Sequence, residues 1–285
     1  MNWPIAIGLN AYQGYALDEV FKSFEGIGFN YVDLDYIKTS LSVHDDYGLT
    51  HLTEKDLQHP DDYRSLMDRF HLKIATFSGH VDLTIEEDVE LFLKKMDFAQ
   101  KIGARYISTN EGSLRRRKEF MNHLELVEKK ARELGIIVCL ETEMPGDMIT
   151  KGEDGIPILT NMASPFLMMT YDTGNIYYSH QGNIDIVEDF DKSIDYVGTL
   201  HFKNPYFKNG VYQYGEIGLG EIDFPGLAKI LKSSGRIIPI TIEIPYFFES
   251  ANWGPLSVKR DIIPLQEINE LMMSSLDYIQ GILKD

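Results

Sequence analysis

Eight short runs of apolar, β-branched and aromatic residues recur along this chain, each separated from the next by enough sequence to hold a helix. They are IAIGLN (5–10), YVDLDY (31–36), KIATFS (73–78), RYISTN (105–110), IIVCLE (136–141), LMMTYD (167–172), VGTLHF (197–202) and IPITIE (238–243). Continuous apolar runs, rather than strict alternation, suit strands buried on both faces of a parallel sheet. Between them, segments such as LDEVFKSFEGIG (17–28), EEDVELFLKKMDFAQKIG (86–103) and FMNHLELVEKKARELG (120–135) carry helical spacing and close on a glycine suited to a C-cap. Repeated βα units predict a parallel sheet, and eight of them in 285 residues predict a closed (β/α)8 TIM barrel. No Pro/Gly/Ser-rich linker or composition break divides the chain, so residues 1–285 are expected to form a single domain.

Hydrophobic residues make up 44% of the chain and charged residues 25%, enough to bury a sizeable core. The formal net charge of −17 repels nucleic acid and anionic membrane surfaces, so neither is an expected partner. The start, MNWPIAIGLNAYQGY, has no basic segment followed by an apolar stretch, and no run is long enough to span a bilayer. The lone Cys139, inside GIIVCLE, reads as a small buried apolar residue without a disulfide, which fits a reducing compartment and a cytoplasmic location.

Three connections exceed what a barrel needs: 37–60, 142–165 and 244–263. All follow strands, so in a barrel they lie at the catalytic face, where they could cover a small pocket. The closing LQEINELMMSSLDYIQGILKD predicts an amphipathic helix with Met272 and Met273 in the core. RRRK (115–118) reads first as a solvated helix start, with a phosphate clamp as the minority reading. GEIGLGEID (215–223) resembles a glycine-rich phosphate loop only superficially, because it follows the seventh strand rather than an early one.

The chemistry-bearing pattern lies at the strand ends. Strand five ends on Glu141, strand six on Asp172, strand seven near His201 and strand eight on Glu243. A lone acidic residue at a strand end is most often a turn former or cap. Four coordinating residues on four successive strand ends are a different matter, because a barrel brings those ends into one arc. Three carboxylates and an imidazole suit one divalent metal ion, Mn²⁺ or Mg²⁺ first, with Co²⁺ or Zn²⁺ also compatible. A cation also relieves the mutual repulsion of crowded carboxylates.

With Glu141, DTGN (172–175), HFKN (201–204), GLGEIDF (218–224) and IEIP (242–245), the chain resembles the xylose isomerase-like TIM-barrel superfamily. The resembling branch holds sugar isomerases and epimerases, together with inosose dehydratases and endonuclease IV. The resemblance implies Glu141, Asp172, His201 and Glu243 as metal ligands, with Glu141 and Glu243 doubling as the acid/base pair. Asn175 stands where many relatives carry His, and Glu143 where they carry His or Asn, so the resemblance does not carry over a substrate.

A cation binding a ketose carbonyl and its neighbouring hydroxyl would stabilise an enediolate, with one glutamate removing a proton and the other returning it. Return to the opposite face of the same carbon is epimerisation, return to its neighbour is isomerisation, and loss of a β-hydroxyl is dehydration. His80, placed just past strand three, is expected to meet a sugar hydroxyl. Lys203 and Asn204 are candidates for substrate oxygens, Asn175 and Glu143 for the polar rim, and Tyr12, Phe77, Tyr206 and Tyr246 for the walls. The expected partner is a small sugar or keto-polyol, phosphorylated or not, and homo-oligomerisation stays open. The first expectation is a metal-dependent isomerase or epimerase, and the second a dehydratase of a keto-inositol or keto-sugar. An endonuclease IV-like phosphodiesterase would need more histidines, and a noncatalytic sugar-binding barrel would not need the glutamate pair.

Overall fold

The computed structural model of the protein describes residues 3–37, 51–245, 247–258 and 263–284. Eight parallel strands close into a barrel: β1 (Ile5–Gly8), β2 (Tyr31–Asp35), β3 (Lys73–Asp82), β4 (Tyr106–Asn110), β5 (Ile137–Glu141), β6 (Leu167–Asp172), β7 (Val197–Phe202) and β10 (Ile240–Ile242). Neighbours in the ring follow chain order, and β10 closes it between β7 and β1. The expected (β/α)8 TIM barrel is therefore the observed one. Seven of the eight strands lie wholly within their predicted runs; β3 runs on to Asp82, so His80 sits inside a strand rather than just past it. A register shift between β3 and β4 beyond Ser78 accommodates that extension.

The helices form for reasons visible in their residues. Helix α3 (Glu86–Ile102) follows α1 (Leu17–Ser23) and α2 (Pro60–Arg69), and has three acidic residues in its first turn and Gly103 in the left-handed conformation at its end. Helix α4 (Arg117–Leu134) ends likewise on Gly135, and Arg115 to Lys118, across the 3-10 turn before it and its first residues, are exposed, the solvated start expected of RRRK. Two expectations need correction. Much of the 142–165 connection is a helix, α5 (Gly152–Met162), with Pro157 at its middle. After α6 (Thr173–Ser179), α7 (Ile186–Ser193) and α8 (Phe224–Ser234), the closing helix α9 (Leu265–Lys284) buries Met272 but leaves Met273 41% exposed, because adjacent helical positions face different directions.

A second sheet sits beside the barrel mouth, built from β8 (Asn204–Lys208), β9 (Val211–Gly215), β11 (Phe248–Ala251) and β12 (Ser257–Val258). β8 and β9 form a hairpin whose turn residues Asn209 and Gly210 both adopt positive φ, as a two-residue turn matched to strand twist requires. The 244–263 connection thus contributes strands to a cover, while residues 38–50 of the 37–60 connection lie outside the described residues. No helix among the described residues is long and apolar enough to cross a membrane.

One buried cation ties helix α3 to the strands that lead into the mouth. Lys95 has no exposed surface, and its ammonium donates to the carbonyls of Tyr36 (2.6 Å), Gly79 (3.1 Å) and His80 (3.0 Å) while lying 4.0 Å from the Tyr36 ring centroid. These carbonyls belong to strand ends that must part to open the mouth, so they cannot all pair within the sheet. Replacing Lys95 with Met keeps the length and leaves the carbonyls without this donor. The variant is expected to lose about 3 kcal/mol in urea unfolding, with no change in slope.

Candidate active site

The strand register delivers the four strand-end residues to one place. Asp172 on β6 pairs with His201 on β7, Thr241 on β10 flanks His201 from the other side, and the Glu243 amide continues that ladder to the Phe202 carbonyl at 3.1 Å. Nδ1 of His201 stands 2.7 Å from Glu243 Oε2, 3.2 Å from Glu141 Oε1 and 3.6 Å from Asp172 Oδ2. Glu141, Asp172 and His201 are buried, and one donor atom from each of the four residues lies within 4.8 Å of all the others. Atoms sharing one octahedral ion at ~2.1 Å stand roughly 3 Å apart, so the spacing fits a common cation. Nε2 of His201 lies 3.5 Å from Asp33 Oδ2, the placement that orients a ligating imidazole from behind.

Asp172 divides its two oxygens between the readings its position allows. Oδ1 caps helix α6 by accepting from the amides of Gly174 (2.9 Å) and Asn175 (2.8 Å), while Oδ2 turns to the cluster and has no hydrogen-bond partner there beyond its ion pairs. Each glutamate is held by an asparagine amide: Asn10 donates to Glu243 Oε1 at 2.6 Å, and Asn175 to Glu141 Oε1 at 3.4 Å. Lys203 spans Asp172 Oδ2 at 2.8 Å and Glu243 Oε1 at 2.9 Å, and its third contact is Asn175 Oδ1 at 3.2 Å. Its ammonium thus lies among the carboxylates as well as on the cavity wall.

Burial works against every charge here, and the neighbours decide the outcome. It raises Glu243 and Glu141, but Lys203 and His201 hold Glu243, and His201 above all holds Glu141, below the usual carboxylate range. For Asp172 burial prevails over Lys203 and the carboxyl is raised. Burial lowers His201 and Lys203, yet Glu141 and Glu243 around the imidazole, and Asp172 and Glu243 around the ammonium, carry both well above their ordinary values. A divalent cation would have to displace the imidazole proton, so its binding is expected to strengthen with pH.

The cluster forms the floor of a cavity of about 240 Å³, below the range of drug-sized sites. His80, Asn110, Glu143, Asn175 and Lys203 line it together with both glutamates, and Tyr214, Phe247 and Phe248 wall it. Larger clefts of about 750 and 1090 Å³ lie beside the hairpin and between α7 and α8, and neither holds one of the two compact groups of potential metal ligands found among the described residues. Four predicted contacts lie elsewhere. Asn204 is turned from the cavity and donates to the Glu216 carbonyl, since it follows Lys203 in an extended chain and faces the opposite way. Tyr12 and Phe77 are core, Tyr206 lines the hairpin cleft, and Tyr246 lies outside the described residues. Asn10, Asp33 and Asn110 were not singled out from sequence: Asn10 and Asn110 end apolar runs as ordinary turn formers do, and Asp33 lies inside β2.

The family profile described as a xylose isomerase-like TIM barrel matches residues 21–256. No curated protein matches the chain. Among solved structures, that of L-ribulose 3-epimerase has a TM-score of 0.71 at 13% identity, with 100% of this chain and 95% of the other covered. The probable 3-DHS dehydratase AsbF from Bacillus anthracis has 0.67 at 13%, covering 97% and 98%. The IOLI protein with a bound zinc atom has 0.72 at 13%, covering 99% and 98%. At these identities the likeness is one of fold.

In the turn that pairs with Ser113, burial and the Asp82 carboxylate push Asp147 from 3.8 up to about 6. The folded protein therefore holds that proton more tightly than the unfolded chain, and stability falls as pH rises from 3.8 to about 6. Asp147→Asn is expected to gain about 1–2 kcal/mol at pH 8, after allowance for its partial exposure, and nothing at pH 4. Thermal melts of both proteins across that range check the sign.

Proposed function

The chain belongs to the xylose isomerase-like TIM-barrel family, and we propose that it is a divalent-metal-dependent isomerase or epimerase of a small sugar or keto-polyol. The observation that carries this reading is the pair Glu141 and Glu243, both on the wall of one small cavity and both within 3.2 Å of the same imidazole nitrogen. The ion's ligands would be Glu141, Asp172, His201 and Glu243, whose hard, oxygen-rich set suits Mn²⁺ or Mg²⁺ and also accepts Co²⁺ or Zn²⁺. When bound, the ion supplies Lewis-acid polarisation of a carbonyl and stabilises negative charge on its oxygen.

The chain's own groups do the rest. Asn10 and Asn175 each fix one glutamate oxygen, so the carboxylates meet a substrate carbon in a defined orientation. One glutamate takes the proton next to the carbonyl and the other delivers one. Lys203, with three donor hydrogens, holds the two carboxylates and Asn175 in register, and its exposure to the cavity leaves it able to reach a substrate oxygen. His80, Asn175 and Glu143 complete the polar rim, and the Tyr214, Phe247 and Phe248 rings exclude water from a reactive enediolate. A dehydratase shares the first proton abstraction, and the fold likeness to a probable dehydratase keeps that outcome in the test.

Manganese-loaded protein incubated with a panel of ketoses and keto-inositols in D₂O, followed by NMR, is expected to place deuterium next to the carbonyl. Glu141→Gln and Glu243→Gln should each slow exchange by about 10²–10⁴-fold. A new conjugated carbonyl absorbance would select the dehydratase, and exchange that survives both substitutions would falsify the glutamate mechanism.

A further inference from the structure

We infer that the substrate is a neutral glycoside, with its keto-sugar ring in the cavity of about 240 Å³ and its linked sugar in the cleft of about 750 Å³ beside the β8–β9 hairpin. The inference rests on the proposed sugar chemistry of the small cavity and names the substrate class of that site. Tyr214 and Phe247 line both spaces, so cavity and cleft adjoin at this pair of rings. The cavity alone lies below the size range of ordinary ligand sites and suits one small ring, whereas the cleft falls inside that range. A ligand that filled both would keep its reacting carbon at the glutamates and lay the remainder against the hairpin.

The cleft wall is built to hold aromatic faces in place. Tyr206 is half-buried and its ring lies across Gly215, where a Cβ would stand 2.6 Å from Cε1 and displace it. Phe207, the next residue, is stacked on Trp253 with ring centroids 4.8 Å apart and planes 9° from parallel. Rings backed in this way have little freedom left to lose when the C–H face of a pyranose packs on them. Polar groups stand beside them. Gln213 lies directly across the hairpin from Tyr206, and Glu216 Oε1 accepts from the Ser274 hydroxyl of α9, which fixes that carboxylate on the wall. An amide and a fixed carboxylate next to aromatic rings are a donor and acceptor set that reads sugar hydroxyls.

Charge selects against a phosphorylated ligand. Among the described residues lining the cleft, Glu216, Glu221 and Glu267 stand against Lys208 alone, and none lining either space is an arginine. Lys203, the lysine of the cavity, is already shared between Asp172 and Glu243. A phosphate would therefore meet carboxylates in both spaces, where its recognition calls for guanidinium forks or unengaged cations. The chemistry of the small cavity is compatible with a glycoside. Its anomeric carbon is locked in an acetal, so the carbonyl lies on another ring carbon; one glutamate breaks a C–H bond beside it and the other forms one, with no net oxidation or reduction.

Methyl glycosides and disaccharides, each oxidised to a ketone at one ring carbon, would be compared with ketose phosphates in the D₂O exchange assay on manganese-loaded protein. The disaccharides should exchange with kcat/KM about tenfold above the matching methyl glycosides, the gain expected of one stacked ring. Tyr206→Ala should erase that advantage and Tyr206→Phe keep it, because the ring and not the hydroxyl is the platform. A second readout needs no turnover: saturation-transfer NMR of unoxidised maltose and cellobiose should show sugar protons in contact with the wild type and lose that contact in Tyr206→Ala, with circular dichroism unchanged. Equal exchange of disaccharide and methyl glycoside, preference for a ketose phosphate, or an equal loss for both glycosides in Tyr206→Ala overturns the glycoside and leaves the isomerase or epimerase reading standing. Tyr206-dependent disaccharide contact without exchange of any substrate upholds the cleft and overturns that reading instead. Neither contact nor exchange overturns both.

Discussion

Negative charge buried at one end of the barrel is the constraint on which the rest of the structure depends. Asp33, Glu141, Asp172 and His201 are each 2% exposed or less, and removing such groups from water costs several kcal/mol apiece unless each finds partners. The structure supplies them in layers. Lys203 and the His201 imidazole face the carboxylates directly, Asn10 and Asn175 donate from the sides, and hydroxyls lie beneath: Ser78 and Thr241 on Asp33, with Thr170 paired to Thr199. A barrel interior is usually filled by branched apolar side chains. Here the layer under the mouth is polar, because Asp33 must be solvated by protein.

Backbone geometry makes that concentration of charge attainable. The closed parallel ring aims successive strand ends at one point, and the register sets their height, with Asp172 level with His201 and Thr241 on its other flank. The turn after β6 then has to leave without blocking the Lys203 stem. A Cβ at Gly174 would lie 2.5 Å from Lys203 Cβ, so only glycine lets the DTG turn pass the ammonium chain that neutralises the same aspartate. Thr173 completes the joint by accepting from the Lys203 amide and donating to its carbonyl. The short motif therefore serves the cap, the turn and the ion pair together.

How far this was legible from sequence follows from the kind of signal each part leaves. Strand runs and helix spacing are periodic, so the barrel could be read, and carboxylates ending apolar runs stand out against them. Asp33 and Asn10 leave no such mark, since their roles come from neighbours distant in sequence: Asn10 reaches Glu243 and Asp33 reaches His201. The side sheet did leave one, Asn209-Gly210 between alternating aromatic residues, which is the strongest short-range hairpin signal. Tyr12 misled, because its hydroxyl is satisfied by Asn269 on α9 and its ring by Phe24, well inside the core.

The side sheet and the charge cluster are not separable units. Lys203 ends the stretch that leaves β7, and the next residue, Asn204, begins β8, so the chain that neutralises the site also starts its cover. Tyr214 on β9 and Phe248 on β11 return from that cover to wall the cavity, and Glu249 pairs with Gln213 to hold the two strands together. Any shift of the sheet would pull on the residue between Asp172 and Glu243, and any change in the charge between those carboxylates would be felt at the start of β8. Low dielectric under the rings strengthens every ion pair beneath them, so closure of the cover and cohesion of the cluster reinforce each other.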